Sequence, residues 1–493
     1  MHIADDALLS ARELVHALAG VLHARVIETH ISWVLLGPDF AWKIKKPVYL
    51  PFVNYASLQA RRQFCEEEVR LNRRLAPSLY LGVTRITGTP HSPGLDGEGT
   101  VLEYAVRMRR FAPGALFSEK ADAGDLGAGD MDELAALLAG FHENAPRADA
   151  LADFAGAQAR RAAALAALDG ARPLMDEATH AALKAWLDAE AAALAPLWAA
   201  RLADGRVREC HGDLHLANIV RLNDGVAAFD GIEFDPALRW IDVLDDIAFV
   251  VMDLAAHRRQ DLCFRFLNAW LDRTGDHGGL PALRFAVVYR ALVRAQGEQL
   301  RGAGSPAVRR YLDTALAWAA PGNARLFITH GLPGSGKTFA SQRVVEREGA
   351  IRLRSDVERK RLHGLGMLED SRAKGVDLYQ ADATTRTYAH LFSVARTALQ
   401  AGYPVVLDAA FLRRAERDQA HALALALQLP FCIVNCEAPL AVLRARLLGR
   451  RGDASEADGA VLDRLRKTAE PLSAEERAFA QTPGADSSPP APG

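Results

Sequence analysis

Eight residues, His211-Gly212-Asp213-Leu214-His215-Leu216-Ala217-Asn218, and the short run Ala228-Phe229-Asp230-Gly231 place two carboxylates and an amide in an order that suits phosphoryl transfer. A hydroxyl attacking a γ-phosphoryl group needs a carboxylate to orient it and take its proton, the role expected of Asp213. Charge growing on the phosphate oxygens calls for Mg2+. A side-chain amide and a second carboxylate are hard oxygen ligands suited to that ion, which points to Asn218 and Asp230. Singly, these residues read as a turn Asp, a helix-capping Asn and a strand-end Asp; their coincidence at this spacing is what points to chemistry. His211 is expected to pack and hydrogen-bond the loop rather than to donate a proton.

HGDLHLANI with the downstream FDGIEF resembles the aminoglycoside phosphotransferase family, whose catalytic loop reads HGD-x-x-x-x-N and whose fold is protein-kinase-like. The resemblance covers roughly Trp33 to Trp270 and is strong at this loop. It implies Asp213 as catalytic base, with Asn218 and Asp230 as magnesium ligands.

In that kind of fold a strand lysine and a helix glutamate clamp the nucleotide phosphates. Ser32-Trp33-Val34-Leu35-Leu36-Gly37 and Phe40-Ala41-Trp42-Lys43-Ile44-Lys45 are strand-like runs joined by Gly-Pro-Asp, a hairpin. Alternation puts Lys43 and Lys45 on one face and Trp42 and Ile44 on the other. The next helix offers Glu67 and Glu68, with Leu71 and Leu75 on its apolar face. Lys43 is favoured to pair with one of these acids, but spacing does not choose between Glu67 and Glu68, nor finally between Lys43 and Lys45. Only Gly37, and no G-x-G-x-x-G, precedes the lysine. That separates the chain from true protein kinases, and the aminoglycoside-type kinases it resembles lack that loop too. By order alone, Glu103-Tyr104-Ala105-Val106 is expected to meet the adenine ring.

Around these elements, helical spacing predicts an amphipathic helix from about Asp5 to Leu22, Val83 to Met108 reads as further strands with a Gly/Pro-rich turn between, and Met131 to Arg201 as Ala/Leu-rich helices. His142 reads as a packed or capping histidine rather than a ligand. Trp240 is expected to open a helix whose Asp242 and Asp246 brace the catalytic loop, or simply suit a helix N-terminus. Helix should continue to about Ala319, with Ala320-Pro321-Gly322-Asn323 as linker.

A second constellation follows. Leu326-Phe327-Ile328-Thr329-His330 is a buried-strand run leading into Gly331-Leu332-Pro333-Gly334-Ser335-Gly336-Lys337-Thr338 and then a helical segment. This is a complete G-x-x-x-x-G-K-T phosphate loop (the Walker A pattern) in its strand, loop and helix setting. Gly331, Gly334, Ser335 and Gly336 would turn backbone N–H groups toward phosphates, Lys337 would reach the β- and γ-phosphates, and the Thr338 hydroxyl would ligate Mg2+. Two further runs end in acids at strand ends, where a parallel sheet places its ligand: Asp408 suits an acid acting on magnesium through water, and Asp356 an acceptor-hydroxyl base or a helix cap. Arg446 and Arg450, four apart, could close over ATP or form a solvated basic face. Ser355-Asp356, Leu407-Asp408-Ala409-Ala410-Phe411 and the run from Arg444 to Asp458 resemble the P-loop kinase branch that includes zeta toxins and polynucleotide 5′-hydroxyl kinases, often labelled AAA-type ATP-binding domains. The resemblance, over about Arg325 to Leu472, implies ATP-dependent phosphorylation of a hydroxyl.

Length and composition set the frame. A chain of 493 residues suggests two or three domains, and a net charge of -2 excludes a dominant electrostatic grip on nucleic acid or an acidic membrane. A nucleic-acid partner is therefore disfavoured, with a local basic patch left open. Cys65, Cys210, Cys263, Cys432 and Cys436 show no paired spacing, so neither a disulfide framework nor a zinc site is indicated. The opening MHIADDALLS lacks a secretory pattern, the longest apolar run is too short to span a bilayer, and a cytoplasmic protein is expected. The expected architecture is an α+β protein-kinase-like bilobal domain over residues 1–319, a linker at 320–324, and an α/β P-loop NTPase domain with a parallel sheet over 325–480. A tail from 481 to 493, rich in Pro, Ser, Gly and Ala, should be disordered. The expected function is ATP- and Mg2+-dependent transfer of the γ-phosphoryl group to hydroxyls of small molecules, the acceptor of the C-terminal half being possible as a nucleotide or nucleic-acid end. The alternatives are a C-terminal half that is only an ATP-binding or ATP-hydrolysing switch, and an N-terminal half that is a pseudokinase binding module.

Overall fold

The structure is a computed structural model that describes residues 5–50, 53–148, 156–301, 306–378, 380–449 and 453–481. Contacts divide the chain into two compact units, one of residues 1–126, 140–160 and 198–250, the other of residues 127–139, 161–197 and 251–493.

The first unit is built on an antiparallel sheet. Helix α1 (Asp5–Val21) leads into β1 (Arg25–Glu28), β2 (Ser32–Leu36) and β3 (Phe40–Lys45); helix α2 (Leu58–Asn72) follows, then β4 (Tyr80–Thr89), β5 (Ser92–Leu95) and β6 (Val101–Arg109). The sheet order is β1-β2-β3-β6-β4-β5. Pleat alternation divides β3 as the sequence requires. Trp42 and Ile44 join Leu14, Val15, Leu18, Trp33 and Leu35 in a core with α1. On the other face Ala41 packs with Cys65 and Val69 of α2, with Val106 and Met108, and with Val220 and Ala227. Those last two lie on a hairpin, β7 (Ile219–Leu222) and β8 (Gly225–Ala228), that carries the candidate catalytic loop before it and Asp230 after it.

Two expectations fail here. Glu103-Tyr104-Ala105-Val106 lies within β6, where Ala105 and Val106 pair with both β3 and β4 and Glu103 and Tyr104 with β4, so the segment is a strand of the sheet rather than a hinge. Trp240 opens a short strand, Trp240–Asp242, pairing with Val207–Glu209, and helix α3 begins only at Val243 and runs to Ala256.

The second unit contains helix α4 (Gln260–Thr274), the helices Leu280–Arg301 and Pro306–Ala319, and a five-stranded parallel sheet. The sheet is formed by β9 (Leu326–His330), β10 (Ile351–Arg354), β11 (Val405–Asp408), β12 (Phe431–Asn435) and β13 (Ala480–Gln481) in the order β10-β11-β9-β12-β13. Helix α5 (Lys337–Glu348) leaves the phosphate loop, α6 (Ser355–Leu362) follows β10, and α7 (Leu440–Gly449) follows β12. The expected break at 320–324 is not where the compact units part. Arg284 donates to the carbonyls of Trp318 and Ala320, Phe264 stacks on Trp318 with ring centroids 6.3 Å apart, and the segment from 251 to 319 belongs with the parallel sheet. Gln481, expected to open the tail, closes β13, and residues 482–493 lie outside the described residues. Among the described residues no helix is long and apolar enough to cross a membrane.

Candidate phosphoryl-transfer sites

In the first unit, residues far apart in sequence converge on one ion cluster. Lys43 Nζ donates to Glu68 Oε1 at 2.9 Å and to the carboxylate of Asp230. Lys45 Nζ donates to Glu68 Oε2 at 2.7 Å and to Glu233, which also accepts from the Tyr55 hydroxyl at 2.6 Å. Glu68 is the acid of the pair left open by spacing. Glu67 turns to Arg70 Nη2 at 2.7 Å and Arg239 Nη2 at 3.0 Å. The lysines separate by burial: the Lys43 side chain keeps 12% of its surface open, that of Lys45 only 1%. Burial by itself lowers the Lys43 ammonium, but the carboxylates of Asp230, Glu68 and Glu233 raise it well above the ordinary lysine value, so it stays charged.

The loop carrying Asp230 is held in an uncommon conformation. Asp230 has φ 61°, a left-handed value uncommon outside glycine and tolerated best by Asn and Asp. Its backbone N–H donates to the Tyr80 hydroxyl at 3.1 Å, and that of Gly231 to Asn72 Oδ1 at 2.8 Å.

The catalytic loop is fixed from beneath. Asp246 on α3 accepts the N–H of Gly212 at 2.8 Å and of His211 at 3.2 Å, and bonds His142 Nε2 at 3.1 Å. Burial alone would raise the Asp246 carboxyl, but the His142 bond and the charges and N–H groups around it hold it below its usual range. Asp242 does not reach the loop: it pairs with Arg201 at 2.6 Å and accepts the Leu244 N–H near the start of α3. His211 accepts the Asp213 N–H at Nδ1, 3.2 Å, so its proton sits on Nε2, which bonds the Phe229 carbonyl at 2.9 Å. That geometry is structural, and burial pushes the imidazole below its usual pKa, favouring the neutral ring. Asn218 Nδ2 donates to the Asp213 carbonyl at 3.0 Å and reaches Oδ2 at 3.3 Å, so the amide oxygen is the atom that a metal ion would meet. The donor set of Asn218 and Asp230 is therefore all oxygen, as Mg2+ prefers. His215 Nε2 lies 3.4 Å from Asp213 Oδ2.

In the second unit the phosphate loop has the shape its glycines predict. Gly331, Gly334 and Gly336 have φ of 146°, 83° and 96°. A Cβ on Gly331 would come 2.2 Å from the Cys436 carbonyl, so the chain closes only with glycine there. Lys337 Nζ folds back onto the carbonyls of Gly331 and Leu332, each at 3.0 Å. Ser335 Oγ is buried with no hydrogen-bond partner among the described residues, an orphan that a phosphate oxygen would satisfy. Beside the loop lies a cleft of about 530 Å3 lined by Ser335, Gly336, Phe339, Cys436, Glu437 and Arg446, within the size range of small-ligand pockets. Arg446 Nη1 reaches the Gly334 carbonyl at 3.1 Å; Arg450 lies outside the described residues.

Asp408 ends β11, buried, and accepts the Ser341 hydroxyl from α5 at 3.0 Å. Thr338 is in the exposed first turn of that helix. With Asp408 it offers oxygen donors beside a phosphate cradle, a set that fits Mg2+. Asp356 is half-buried in the first turn of α6 and bonds Arg359 at 3.1 Å; the helix cap is Arg354, so Asp356 does not cap.

Sequence reasoning missed Glu233, Tyr55, Tyr80, Asn72 and Ser341. Glu233 had a signal, a second acid three residues beyond Asp230. The others are tyrosine, amide and serine side chains whose importance arises only from the fold.

The first unit thus has a kinase-like fold and the parallel sheet a P-loop NTPase fold. Residues 326–472 match the AAA domain family AAA_33. The chain is 32% identical over 445 residues to the Mycobacterium tuberculosis protein Rv2004c, the match covering 88% of this chain and 87% of that protein, and equally to Mb2027c of Mycobacterium bovis; both bear the name "uncharacterized protein". The chain belongs to the family of these mycobacterial proteins. Among solved structures, similarity extends to the Plasmodium vivax ethanolamine kinase Pv091845, with 10% identity, TM-score 0.38, and coverage of 61% of this chain and 83% of that one. It extends also to the amicoumacin kinase hAmiN (11%, TM-score 0.38, 64% and 96%) and to a gluconokinase from Sinorhizobium meliloti 1021 (20%, TM-score 0.25, 34% and 86%).

Proposed function

We propose that this chain is an ATP-dependent phosphotransferase with two nucleotide sites, each passing the γ-phosphoryl group of ATP to a hydroxyl of a small molecule. The observation that carries the reading is the meeting of Lys43, Glu68 and Asp230, separated by up to 187 positions, beside a loop that joins Asp213 to Asn218.

In the first site Lys43, steadied by Glu68, binds the nucleotide phosphates. Asp213 orients the acceptor hydroxyl and takes its proton at a carboxylate oxygen, and the Asn218 amide holds that carboxylate in place. Mg2+, when bound to Asn218 and Asp230, would supply positive charge to the phosphate oxygens. In the second site the backbone of Gly331 to Gly336 cradles the phosphates, and Lys337 leaves its own loop carbonyls for phosphate oxygens. Arg446 closes on the cleft, Thr338 and Asp408 provide metal-binding oxygens, and Asp356 takes the acceptor proton.

The test is transfer from γ-labelled ATP to a panel of hydroxylated metabolites by the full chain. Product that vanishes with Asp213→Asn assigns the first site, and product that vanishes with Asp356→Asn while ATP binding persists assigns the second. Magnesium-dependent calorimetry showing no nucleotide uptake by well-folded protein refutes the proposal.

A further inference from the structure

Arg354, the last residue of β10, lies in register with Asp408 of β11. Its largely buried guanidinium faces three carboxylates. Nη2 is 2.7 Å from Asp453, Nη1 3.8 Å from Asp272, and Nε 4.0 Å from Asp408. The pairing is uneven: register sets Arg354 beside Asp408, yet its nearest carboxylate is Asp453. Asp272, buried on α4, also holds Arg352 Nη2 at 3.3 Å, so the two arginines on one face of β10 converge on it. The three charges keep Arg354 cationic: burial by itself would lower it, and Asp272, Asp408 and Asp453 raise it.

A full ion pair between Arg354 and Asp408 would occupy the carboxylate that the second site needs for its metal. We propose that Asp272 is a positioning residue of the phosphate-loop site: together with Asp453 it draws Arg354 off Asp408 and leaves that carboxylate available to the magnesium of a bound nucleotide. The inference rests on reading the phosphate loop as a nucleotide site. It also makes α4, whose residues precede the family match at 326, a working part of that site. Residues that orient a metal ligand without touching the metal commonly alter metal affinity by tenfold or more.

The experiment is calorimetric titration of the full chain with a non-hydrolysable ATP analogue over a series of Mg2+ concentrations, the part lost in Lys337→Ala being assigned to the second site. Asp272→Asn is expected to raise the Mg2+ needed for half-maximal binding roughly tenfold. Adding Arg354→Ala to it should bring the requirement back toward that of the unmodified chain, because no guanidinium is left to capture Asp408. A purely structural Asp272 would not be rescued by deleting a second buried partner. Should Asp272→Asn not fold, Asp453→Asn releases the other end of the same guanidinium and is expected to raise the requirement likewise. Uptake whose Mg2+ requirement is indifferent to these changes, or a double variant that stays impaired, overturns the proposal alone. No Lys337-dependent uptake in the unmodified chain overturns the nucleotide reading and the proposal with it.

Discussion

Asp246 accepts the Gly212 N–H at 2.8 Å, so one buried carboxylate on α3 ties down the turn that presents Asp213. The same carboxylate takes the His211 N–H and bonds His142. Replacing it with an amide puts a donor where two backbone donors converge. Asp246→Asn is expected to cost about 1–3 kcal/mol, the penalty of a buried donor left unsatisfied. The loss should be read as a lowered denaturant midpoint together with faster hydrogen exchange at His211 and Gly212. An unchanged midpoint would show that the loop is held by other contacts.

The two strand lysines should fail in different ways. Lys43 faces partners that tolerate its removal, because Glu68 keeps Lys45 and the Asp230 side chain is 45% exposed. In a Lys337→Ala background, Lys43→Met is expected to weaken ATP binding about tenfold, 1.4 kcal/mol, with little change in stability. Lys45→Met strands Glu233 in the interior, and breaking such a buried pair costs about 3–5 kcal/mol. Calorimetry and chemical denaturation on both variants check the contrast; equal effects of the two substitutions on both measurements would refute it.

How far the sequence reached depends on whether a residue's chemistry is local. Asp213 and Asn218 stand five apart on one loop, and the phosphate loop is contiguous, so both candidates are legible in spacing alone. The split of β3 into Trp42 and Ile44 against Lys43 and Lys45 followed from strand alternation. The choice of Glu68 over Glu67 did not, since neighbouring helix positions differ by about 100° and only the docking of α2 selects one. The hinge placement at Glu103–Val106 failed because order along the chain cannot distinguish a sheet strand from the segment beyond it. The contribution of α4 to the parallel sheet was invisible for a related reason. An amphipathic helix declares that it has an apolar face, but not what that face covers.

Acid should weaken the first unit through Glu233. Burial alone would raise this carboxyl, but the charges of Lys45 and Lys43, with bonds from Lys45 and Tyr55, hold it at about 2, against an ordinary 4.5. A folded pKa below the unfolded one means the native state binds fewer protons, so the contribution is complete above pH 4.5 and is lost as pH falls toward 2. Urea midpoints measured between about pH 6 and pH 3 should therefore fall with acidification, and the fall should be shallower in Glu233→Gln. Equal slopes in the two proteins would remove Glu233 from the account.

Asn268 offers a test of what completes the parallel sheet. Strand β10 is at its edge, where backbone groups would otherwise lack a ladder partner. The Asn268 amide on α4 supplies one: its Oδ1 accepts the Arg352 N–H at 2.5 Å, and its Nδ2 donates to the Ala350 carbonyl at 2.8 Å. A single buried side chain thereby does the work of a further strand over these residues. Asn268→Leu fills the space but leaves a buried donor and a buried acceptor unpaired, at about 1–3 kcal/mol each. A loss of about 2–6 kcal/mol in denaturant unfolding is expected, with exchange at the Arg352 amide rising most. By the same reasoning, a fragment beginning at Arg325 should unfold more readily than one beginning at Val251, because it discards the helix that closes its sheet. Equal stability of the two fragments, or a silent Asn268→Leu, would show that β10 needs no such partner.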